Sequence, residues 1–282
     1  MVVAKLLLLA SVLVGTWNLQ WFPSGRAEHR ASQRVEQANV KDAAETIRNG
    51  FGNRKGVVLF FQEMRSSEVA SNLVAEIGHD GLQLAVASAF RERDRRLGWQ
   101  QVAIATDYPV LDSSYAYWKR SKGVFAPRGY AYALLDCGAD GVVACYAVHL
   151  KSNYGAKTDE QKKLNSAKRE ICTAQIVEMA KKLRTPDGRK VSRVVVAGDF
   201  NADVFTTNDA DEATFKNLLE AEFSNCWAGA PLSERGTHPG RYRWPDSTLD
   251  YVFHRGFARQ TMRRLSPQVP LSDHRMAWVE LE

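Results

Sequence analysis

Apolar runs of strand length alternate along this chain with segments in which apolar residues recur every three or four positions. The runs predict buried strands, and the three-to-four spacing predicts amphipathic helices. The predicted strands cover residues 10–18, 57–61, 82–87, 101–106, 130–137, 142–149, 193–198, 248–253 and 276–281. The predicted helices cover residues 40–51, 69–77, 164–174 and 215–223, and the third is expected to bury Leu164, Ala167, Ile171 and Ala174. This alternation predicts an α/β sandwich with helices outside and sheet inside.

No Pro/Gly/Ser-rich linker, low-complexity stretch or repeat divides the 282 residues, so we expect a single domain over residues 1–282. Lys5 followed by the apolar residues 6–14 imitates a secretory signal, but no A-x-A-like cleavage site follows. The run is also too short to span a bilayer as a helix. We therefore interpret residues 10–18 as a buried first strand, and residues 1–9 could hold the remnant of an export signal. The localisation stays open, with secretion or the periplasm favoured over the cytoplasm.

The formal net charge of +6 suggests an anionic partner, because a positive surface attracts polyanions. A solvated Lys/Arg surface without a partner explains the composition equally well. The basic residues cluster at residues 91–96, 119–122 and 241–244. The four cysteines form neither a CxxC pair nor a zinc pattern. Cys137 and Cys145 flank a turn, where they could form either a disulfide or a pair of half-buried thiols.

Six short segments carry metal-ligand or acid–base residue types, nearly all of them where a predicted strand ends. They are T-W-N-L-Q, Q-E-M, H-L-K-S-N, G-D-F-N, L-D-Y and S-D-H, which begin at Thr16, Gln62, His149, Gly198, Leu249 and Ser272. A rigid sheet can gather such distant strand ends into one site. The set contains carboxylates, carboxamides and two histidines but no cysteine. This mixture favours the chemistry of hard metals and phosphate over acyl transfer.

Two of the segments are informative even when read alone. Glu63 ends an apolar strand, where a carboxylate needs either a salt bridge or a cation. Asn18 ends the first strand in the same way, although capping a turn is a common use of such a carboxamide. Asp199 and Asn201 are two residues apart, so they should project to the same side of the strand end. They could activate a water and hold a phosphate oxygen, or could simply form an Asx-turn.

The remaining site candidates are two histidines and two carboxylates. His274 could be protonated and stabilise negative charge at phosphorus, with Asp250 fixing its tautomer from a different strand end. Asp273 is poorly placed to orient its neighbour and is better used as a metal ligand. His149 ends a predicted hairpin, where a lone histidine is more often structural. No nucleophile elbow, Walker A loop or dinucleotide-binding glycine motif is present.

In this order and over the whole chain, the six segments resemble those of the endonuclease/exonuclease/phosphatase superfamily. That superfamily includes pancreatic deoxyribonuclease, AP endonucleases, toxin nuclease subunits, sphingomyelinases and inositol-polyphosphate phosphatases. The resemblance implies a four-layer α/β sandwich, in which two packed, mainly antiparallel sheets are flanked by helices. The histidine form of H-L-K-S is more similar to the deoxyribonuclease, toxin and sphingomyelinase members than to AP endonucleases, which carry a tyrosine there.

The resemblance also implies a role for each matching residue. Glu63 would be the main Mg²⁺ ligand, with Asn18 and Asp273 beside the metal, and Mn²⁺ would be a plausible substitute. Asp199 would orient and deprotonate the attacking water, and Asn201 would bind the scissile phosphate. The implied roles of the remaining residues are transition-state stabilisation by His274 held by Asp250, and phosphate contact or leaving-group protonation by His149.

These features predict a divalent-metal-dependent phosphodiester hydrolase, with DNA as the expected substrate and endonuclease as the expected activity. The alternative is a phosphoesterase acting on a small or lipid phosphoester, such as a sphingomyelinase or a sugar-phosphate phosphatase. We expect a monomer without stable membrane insertion. Trp21 and Phe22, directly after the first strand, could stack on bases or pack under their own loop. Lys151 is expected to touch phosphate.

Overall fold

The protein folds as two six-stranded sheets packed face to face. The structure, a computed structural model, describes residues 11–25, 30–92, 94–138, 141–206, 212–240 and 245–282. The first sheet has the order β11-β12-β1-β2-β4-β3 and the second has the order β5-β6-β7-β8-β10-β9. Most neighbouring strands are antiparallel, whereas β1–β2 and β7–β8 are parallel. The strands of the first sheet are β1 Val12–Phe22, β2 Val57–Met64, β3 Gln83–Ala87, β4 Gln101–Thr106, β11 Gln260–Leu265 and β12 Ala277–Leu281. Those of the second are β5 Val110–Tyr117, β6 Gly129–Asp136, β7 Val142–His149, β8 Arg193–Asp199, β9 Ser224–Asn225 and β10 Asp250–Arg255.

Helices cover the outer faces of both sheets. They are α1 Gln33–Phe51, α2 Ser67–Ile77, α3 Asp159–Lys182, α4 Ala213–Glu220 and the short α5 Leu232–Arg235. Alternate residues of β1 point to opposite faces, so Val12 and Val14 join the core between the sheets while Leu13 and Trp17 pack beneath α1 and α2. The α/β sandwich predicted from the sequence is therefore confirmed.

The buried face of α3 differs from the predicted one. Leu164 and Ala174 are exposed, and the interior side of the helix instead presents Arg169, Cys172 and Ile176. The apolar spacing is misleading because the buried face includes a charged residue. The Arg169 guanidinium forms a buried ion pair with Glu212, just before α4. A buried charge is tolerated when it is paired in this way.

Three strands were not predicted, namely β5, β9 and β11. The first strand is also longer than predicted, because it continues past Asn18 to Phe22. Phe22 is buried, so it packs under its own loop and cannot stack on a ligand, whereas Trp21 is half-buried. Cys137 and Cys145 are both buried and form no disulfide with each other.

Two sequence features lie outside the described residues. These are the leader-like residues 1–9 and the basic cluster at residues 241–244. Within the described ranges, no helix is both long enough and apolar enough to cross a membrane.

Candidate active site

The strand ends that carry the candidate residues meet at one rim of the sandwich. In the first sheet, Asn18 pairs with Gln62 across the parallel strands β1 and β2, which places Glu63 beside it. In the second sheet, Asp199 pairs with both His149 and Asp250. Contacts between the sheets join these two groups, because the Asn18 amide nitrogen donates to the Asp199 carboxylate at 2.9 Å.

Asn18 links two buried carboxylates at the centre of this rim. Its amide nitrogen lies 2.9 Å from Asp199 Oδ2 and 3.4 Å from Glu63 Oε1, and its oxygen accepts from the Gln20 backbone N–H. The Trp21 N–H donates to the other Glu63 oxygen at 3.0 Å. The strand end is thus closed around Glu63, which is itself held at φ +60°, an uncommon conformation for a side-chain-bearing residue.

Burial perturbs the acidity of both carboxyl groups. Loss of hydration raises the pKa of Glu63 above its ordinary value, although His274 and Arg128 oppose the shift. Burial likewise raises the pKa of Asp199 to about 7, against the opposing attraction of His274. Neither carboxylate makes an ion pair at hydrogen-bonding distance with a lysine or arginine among the described residues. The pair therefore concentrates negative charge that is incompletely balanced by the protein.

His149 lies between the same two carboxylates. Its Nε2 is 3.6 Å from Glu63 Oε1 and 3.6 Å from Asp199 Oδ2, and its buried Nδ1 has no hydrogen-bond partner. Burial, followed by repulsion from Arg128 and His274, lowers the pKa of His149 well below its ordinary value. His149 is consequently a neutral imidazole at physiological pH.

The second histidine has the opposite charge state. His274 Nδ1 lies 2.7 Å from Asp250 Oδ2, and Asp250 is fully buried. Burial lowers the pKa of His274, but attraction to Asp250, and more weakly to Asp199 and Asp273, outweighs it and raises the pKa to about 10. Its backbone is fixed as well, because Trp17 Nε1 donates to its carbonyl and its N–H donates to Ser272 Oγ.

The end of β8 forms the wall next to this pair. Asp199 and Asn201 lie side by side, as their spacing predicts, with Asn201 Nδ2 2.8 Å from Asp199 Oδ2. Phe200, the residue between them in the sequence, is buried against Tyr251 and Phe253. The Asn201 amide nitrogen also donates to the Leu150 carbonyl at 3.2 Å, so in this conformation its donors serve the protein.

Asp273 lies apart from the other two predicted metal ligands. Gln20 Nε2 donates to its Oδ2 at 2.8 Å, and its other contacts run to His274 and to His238. His238 was not predicted from the sequence, where it occurs in a turn-like context. Its ring packs edge-on against His274 with 4.9 Å between centroids.

Two basic residues reinforce the site from the second sheet. Arg128 holds the backbone of the H-L-K-S segment, donating to the carbonyls of His149 at 3.2 Å and Leu150 at 2.9 Å. Arg128 lies in a loop without a local motif and was not predicted from the sequence. Lys151 is half-buried, and burial together with repulsion from Arg128, Lys168 and Arg169 lowers its pKa. This repulsion reflects the three other basic side chains around Lys151.

Backbone strain is concentrated at this rim. Among the described residues other than glycine, those with positive φ at the site are Gln20, Trp21, Glu63, Arg128 and Asn201. Such conformations are uncommon and often occur at functional sites. Gly198 also has a positive φ of +145°, and a Cβ there would lie 2.0 Å from the Val148 carbonyl oxygen. Only glycine therefore allows β7 and β8 to bring His149 and Asp199 together.

The donor set fits a hard divalent cation. The two buried carboxylates offer oxygen ligands of the kind that Mg²⁺ and Mn²⁺ prefer. Asn18 presents its amide nitrogen to both of them in this conformation, so its oxygen would join them only after the amide flips. A cation would also supply the positive charge that these carboxylates lack. Next to this cluster lies a cavity of about 1340 Å³, whose lining includes Tyr154, Lys162, Lys163, Asn201 and His238. A substrate larger than a single phosphate can therefore extend away from the rim.

The fold is shared with solved structures at low sequence identity. An endonuclease/exonuclease/phosphatase from Beutenbergia cavernae has a TM-score of 0.68 at 15% identity, over 96% of this chain and 71% of that one. TDP2 from C. elegans has a TM-score of 0.63 at 14% identity, over 96% and 75% of the two chains. Sphingomyelinase C from Streptomyces griseocarneus has a TM-score of 0.59 at 17% identity, over 97% and 100%.

A search of curated proteins finds no significant match to the sequence. The sequence profile described as the Endonuclease/Exonuclease/phosphatase family matches residues 15–274, which include every strand-end segment of the rim. That match covers nearly the whole chain. The protein therefore belongs to the Endonuclease/Exonuclease/phosphatase family, whose members hydrolyse phosphoester bonds.

Proposed function

We propose that the protein is a divalent-metal-dependent phosphodiesterase that acts on DNA as an endonuclease. The observation that carries this proposal is the pairing of opposite charges at one rim. The buried carboxylates of Glu63 and Asp199 share Asn18, and the cationic His274, held by Asp250, faces them. A base, a cation site and a positive group for developing phosphate charge are the three parts that phosphodiester hydrolysis by water requires.

Asp199 is the proposed general base. Its pKa of about 7 lies near physiological pH, where a base can both accept and release a proton. The neighbouring Asn201 N–H and Asn18 amide hold the carboxylate in one orientation. The Asn201 side chain would bind the scissile phosphate after exchanging its hydrogen bond to the Leu150 carbonyl for one to a phosphate oxygen.

Mg²⁺, with Mn²⁺ as a substitute, is the proposed metal. Glu63, Asn18 and Asp273 are the residues that would hold it, and the chemistry it would supply is neutralisation of developing charge on the phosphate. Asn18 retains a lone pair on its oxygen beyond the bond from Gln20. Asp273 contacts Gln20, His238 and His274, so it would have to exchange one of these contacts to reach the metal.

The two histidines would act differently on the phosphate. His274 carries a positive charge over the physiological pH range and would stabilise the negative charge of the transition state with its Nε2 side. His149 is neutral, so its charge state favours hydrogen bonding to a phosphate oxygen over protonation of the leaving group. Lys151 would add attraction for the phosphodiester backbone.

DNA is the proposed substrate because of charge and shape. The net charge of +6 favours a polyanion. Lys162 and Lys163 line the cavity beside the catalytic rim, together with the carboxylates of Asp159, Glu170, Asp203 and Glu212. Tyr154, whose side chain is 85% exposed, stands at the same cavity and offers a face for base stacking. We further propose that the protein acts as a monomer.

A lipid or small phosphoester is the second candidate, because one structural neighbour carries the name sphingomyelinase C. The described surface offers Phe125 at 56% exposure, next to Lys119, Arg120 and Lys122, as a conceivable contact to an anionic bilayer. This small patch lies outside the rim, so we rank this function below DNA cleavage.

A substrate panel separates the two functions. Supercoiled plasmid, a phosphodiester dye ester and sphingomyelin vesicles would each be incubated with the protein and Mg²⁺. We expect plasmid nicking by wild type and at least a 100-fold loss in His274→Ala. Hydrolysis of sphingomyelin or the dye ester with intact plasmid would favour the second candidate. Undiminished nicking by His274→Ala would show a contaminating nuclease and would refute the assignment.

A further inference from the structure

We infer that His238, Asp273 and His274 form a binding site for a late transition-metal ion, with Zn²⁺ as the fitting occupant, and that this ion shuts down the catalytic imidazole. The site shares Asp273 with the proposed magnesium ligands, but it lacks Glu63 and adds two imidazole nitrogens. It is built around a histidine, His238, that neither the six segments nor the proposed reaction uses. The inhibition rests on the proposed function, whereas the metal binding itself does not.

The donor atoms already converge. The ligand atoms of the three side chains all lie within 4.8 Å of one another. His238 Nε2 is 3.9 Å from Asp273 Oδ2, and His274 Nε2 is 3.8 Å from Asp273 Oδ1. Donors around a tetrahedral zinc ion lie about 3.3 Å apart at bond lengths near 2.0–2.1 Å. The widest gap therefore has to close by only about 1.5 Å, which rotation of the partly exposed His238 and Asp273 side chains allows.

The chemistry of the donors selects the metal. Two imidazole nitrogens and one carboxylate oxygen suit Zn²⁺, Co²⁺ or Ni²⁺, whereas Mg²⁺ prefers oxygen ligands throughout. Three protein ligands with an open fourth position is also the usual arrangement of accessible zinc sites. The oxygen-rich cluster at Glu63 and the imidazole-rich cluster at His238 are therefore expected to bind different metals.

The surrounding contacts orient the ligands as metal sites require. His274 Nδ1 bonds to Asp250 at 2.7 Å, which leaves Nε2 directed at the cluster. A ligating histidine almost always makes such a bond through its other nitrogen. Gln20 Nε2 fixes the Asp273 carboxylate at 2.8 Å. The backbone of His238 is anchored on both sides, because its N–H and carbonyl bond to Ser247 at 2.9 and 3.0 Å.

Occupation of this site has a direct consequence. A zinc ion on His274 Nε2 displaces the proton that this nitrogen carries in the imidazolium and releases it to solvent. The ion thereby takes the nitrogen that would otherwise face the phosphate. His274 would then no longer serve as a hydrogen-bonding cation in the transition state. We therefore expect Zn²⁺ to inhibit the enzyme in the presence of saturating Mg²⁺, because two of the three ligands are imidazole nitrogens, which Mg²⁺ binds poorly.

The direct test is metal binding without substrate. Zn²⁺ would be titrated calorimetrically, and Co²⁺ would be followed by its visible absorption, both with excess Mg²⁺ present. We expect one site in wild type. Removing a ligand in His238→Ala or Asp273→Asn should weaken binding by at least 100-fold, and Asp250→Asn should weaken it by about 10–100-fold. His79→Gln is the matched control, because His79 belongs to a different part of the structure. Its Nε2 lies 3.3 Å from Asp107 Oδ2, and it is not a member of this cluster.

A second arm measures inhibition. Zn²⁺ should abolish plasmid nicking by wild type and by His79→Gln, and His238→Ala should require at least 100-fold more Zn²⁺. If His238→Ala has a lower melting temperature than wild type, His238→Gln replaces it in this measurement, because glutamine retains most of the bulk of the side chain. Equal Zn²⁺ affinity in wild type and both His238 variants would overturn the inference. Absence of plasmid nicking before any Zn²⁺ is added, together with intact Zn²⁺ binding, would instead count only against the proposed function.

Discussion

The pairing of His274 with Asp250 gives the sharpest quantitative prediction, because it fixes a charge state. Asp250 is fully buried. Its attraction for His274 is the strongest of the interactions that raise the pKa of His274 to about 10. In Asp250→Asn that attraction is lost while the burial remains, so the pKa should fall to or below the ordinary value of 6.5. At pH 8 the protonated fraction would drop from about 99% to about 3%.

This drop sets the expected rate. Loss of the charge alone should reduce nicking at pH 8 by about 30-fold, and loss of orientation should bring the total to about 10²–10³. At pH 5.5 the variant imidazole is protonated again, so the 30-fold part should return. The informative quantity is the ratio of wild-type to variant rate, because titration of other groups affects both proteins.

The assay is initial-rate nicking of supercoiled plasmid between pH 5.5 and 8, with an NMR titration of the His274 imidazole in parallel. We expect the rate ratio to shrink by about 30-fold toward low pH. A ratio that is independent of pH would refute the charge argument. An NMR titration of wild-type His274 near pH 6.5 would refute it independently of any activity.

Three further outcomes follow from the same structure. Gly198→Ala should destabilise the fold by about 3 kcal/mol or more in urea unfolding, because its Cβ would lie 2.0 Å from the Val148 carbonyl oxygen; an unchanged midpoint would contradict this packing. Arg169→Met should lower the free energy of unfolding by about 3–5 kcal/mol, because the buried Glu212 carboxylate loses its ion-pair partner. The double variant with Glu212→Leu should recover most of this loss. Without metal, stability should decrease by a few kcal/mol as the pH rises from about 4 through 7, because folded Asp199 keeps a proton that the unfolded chain releases. Mg²⁺ should remove most of this decrease, and identical slopes with and without Mg²⁺ would argue against a metal at these carboxylates.

The strands that the sequence did not reveal share one position in the fold. β5, β9 and β11 lie at sheet edges. Interior strands such as β2 and β8 are buried on both faces and are therefore continuous apolar runs. Edge strands are partly solvated, and β5 and β11 carry polar or charged residues that resist edge-to-edge pairing. Their patterns therefore lack the apolar signal on which the prediction depended.

The site was predictable where a short motif adjoins a buried strand, whether it follows the strand or, like Asp250 and His274, begins or precedes one. Glu63, Asp199 and His149 end buried strands, so their segments stand out from the apolar residues before them. His238 and Arg128 lie in loops, and tertiary contacts alone bring them to the rim. The buried face of α3 was predicted wrongly for a related reason. Arg169 can be buried because it pairs with Glu212, which is far away in the sequence.

The magnesium dependence of phosphodiester cleavage tests the central claim most directly. Plasmid nicking would be measured over a Mg²⁺ titration for wild type and Glu63→Gln, with a chelator as the zero point. The account predicts no nicking with chelator, and at least a 10-fold higher Mg²⁺ requirement for Glu63→Gln. Full activity in chelator, or the same Mg²⁺ requirement in both proteins, would contradict the assignment of this rim as a metal-dependent phosphodiesterase centre.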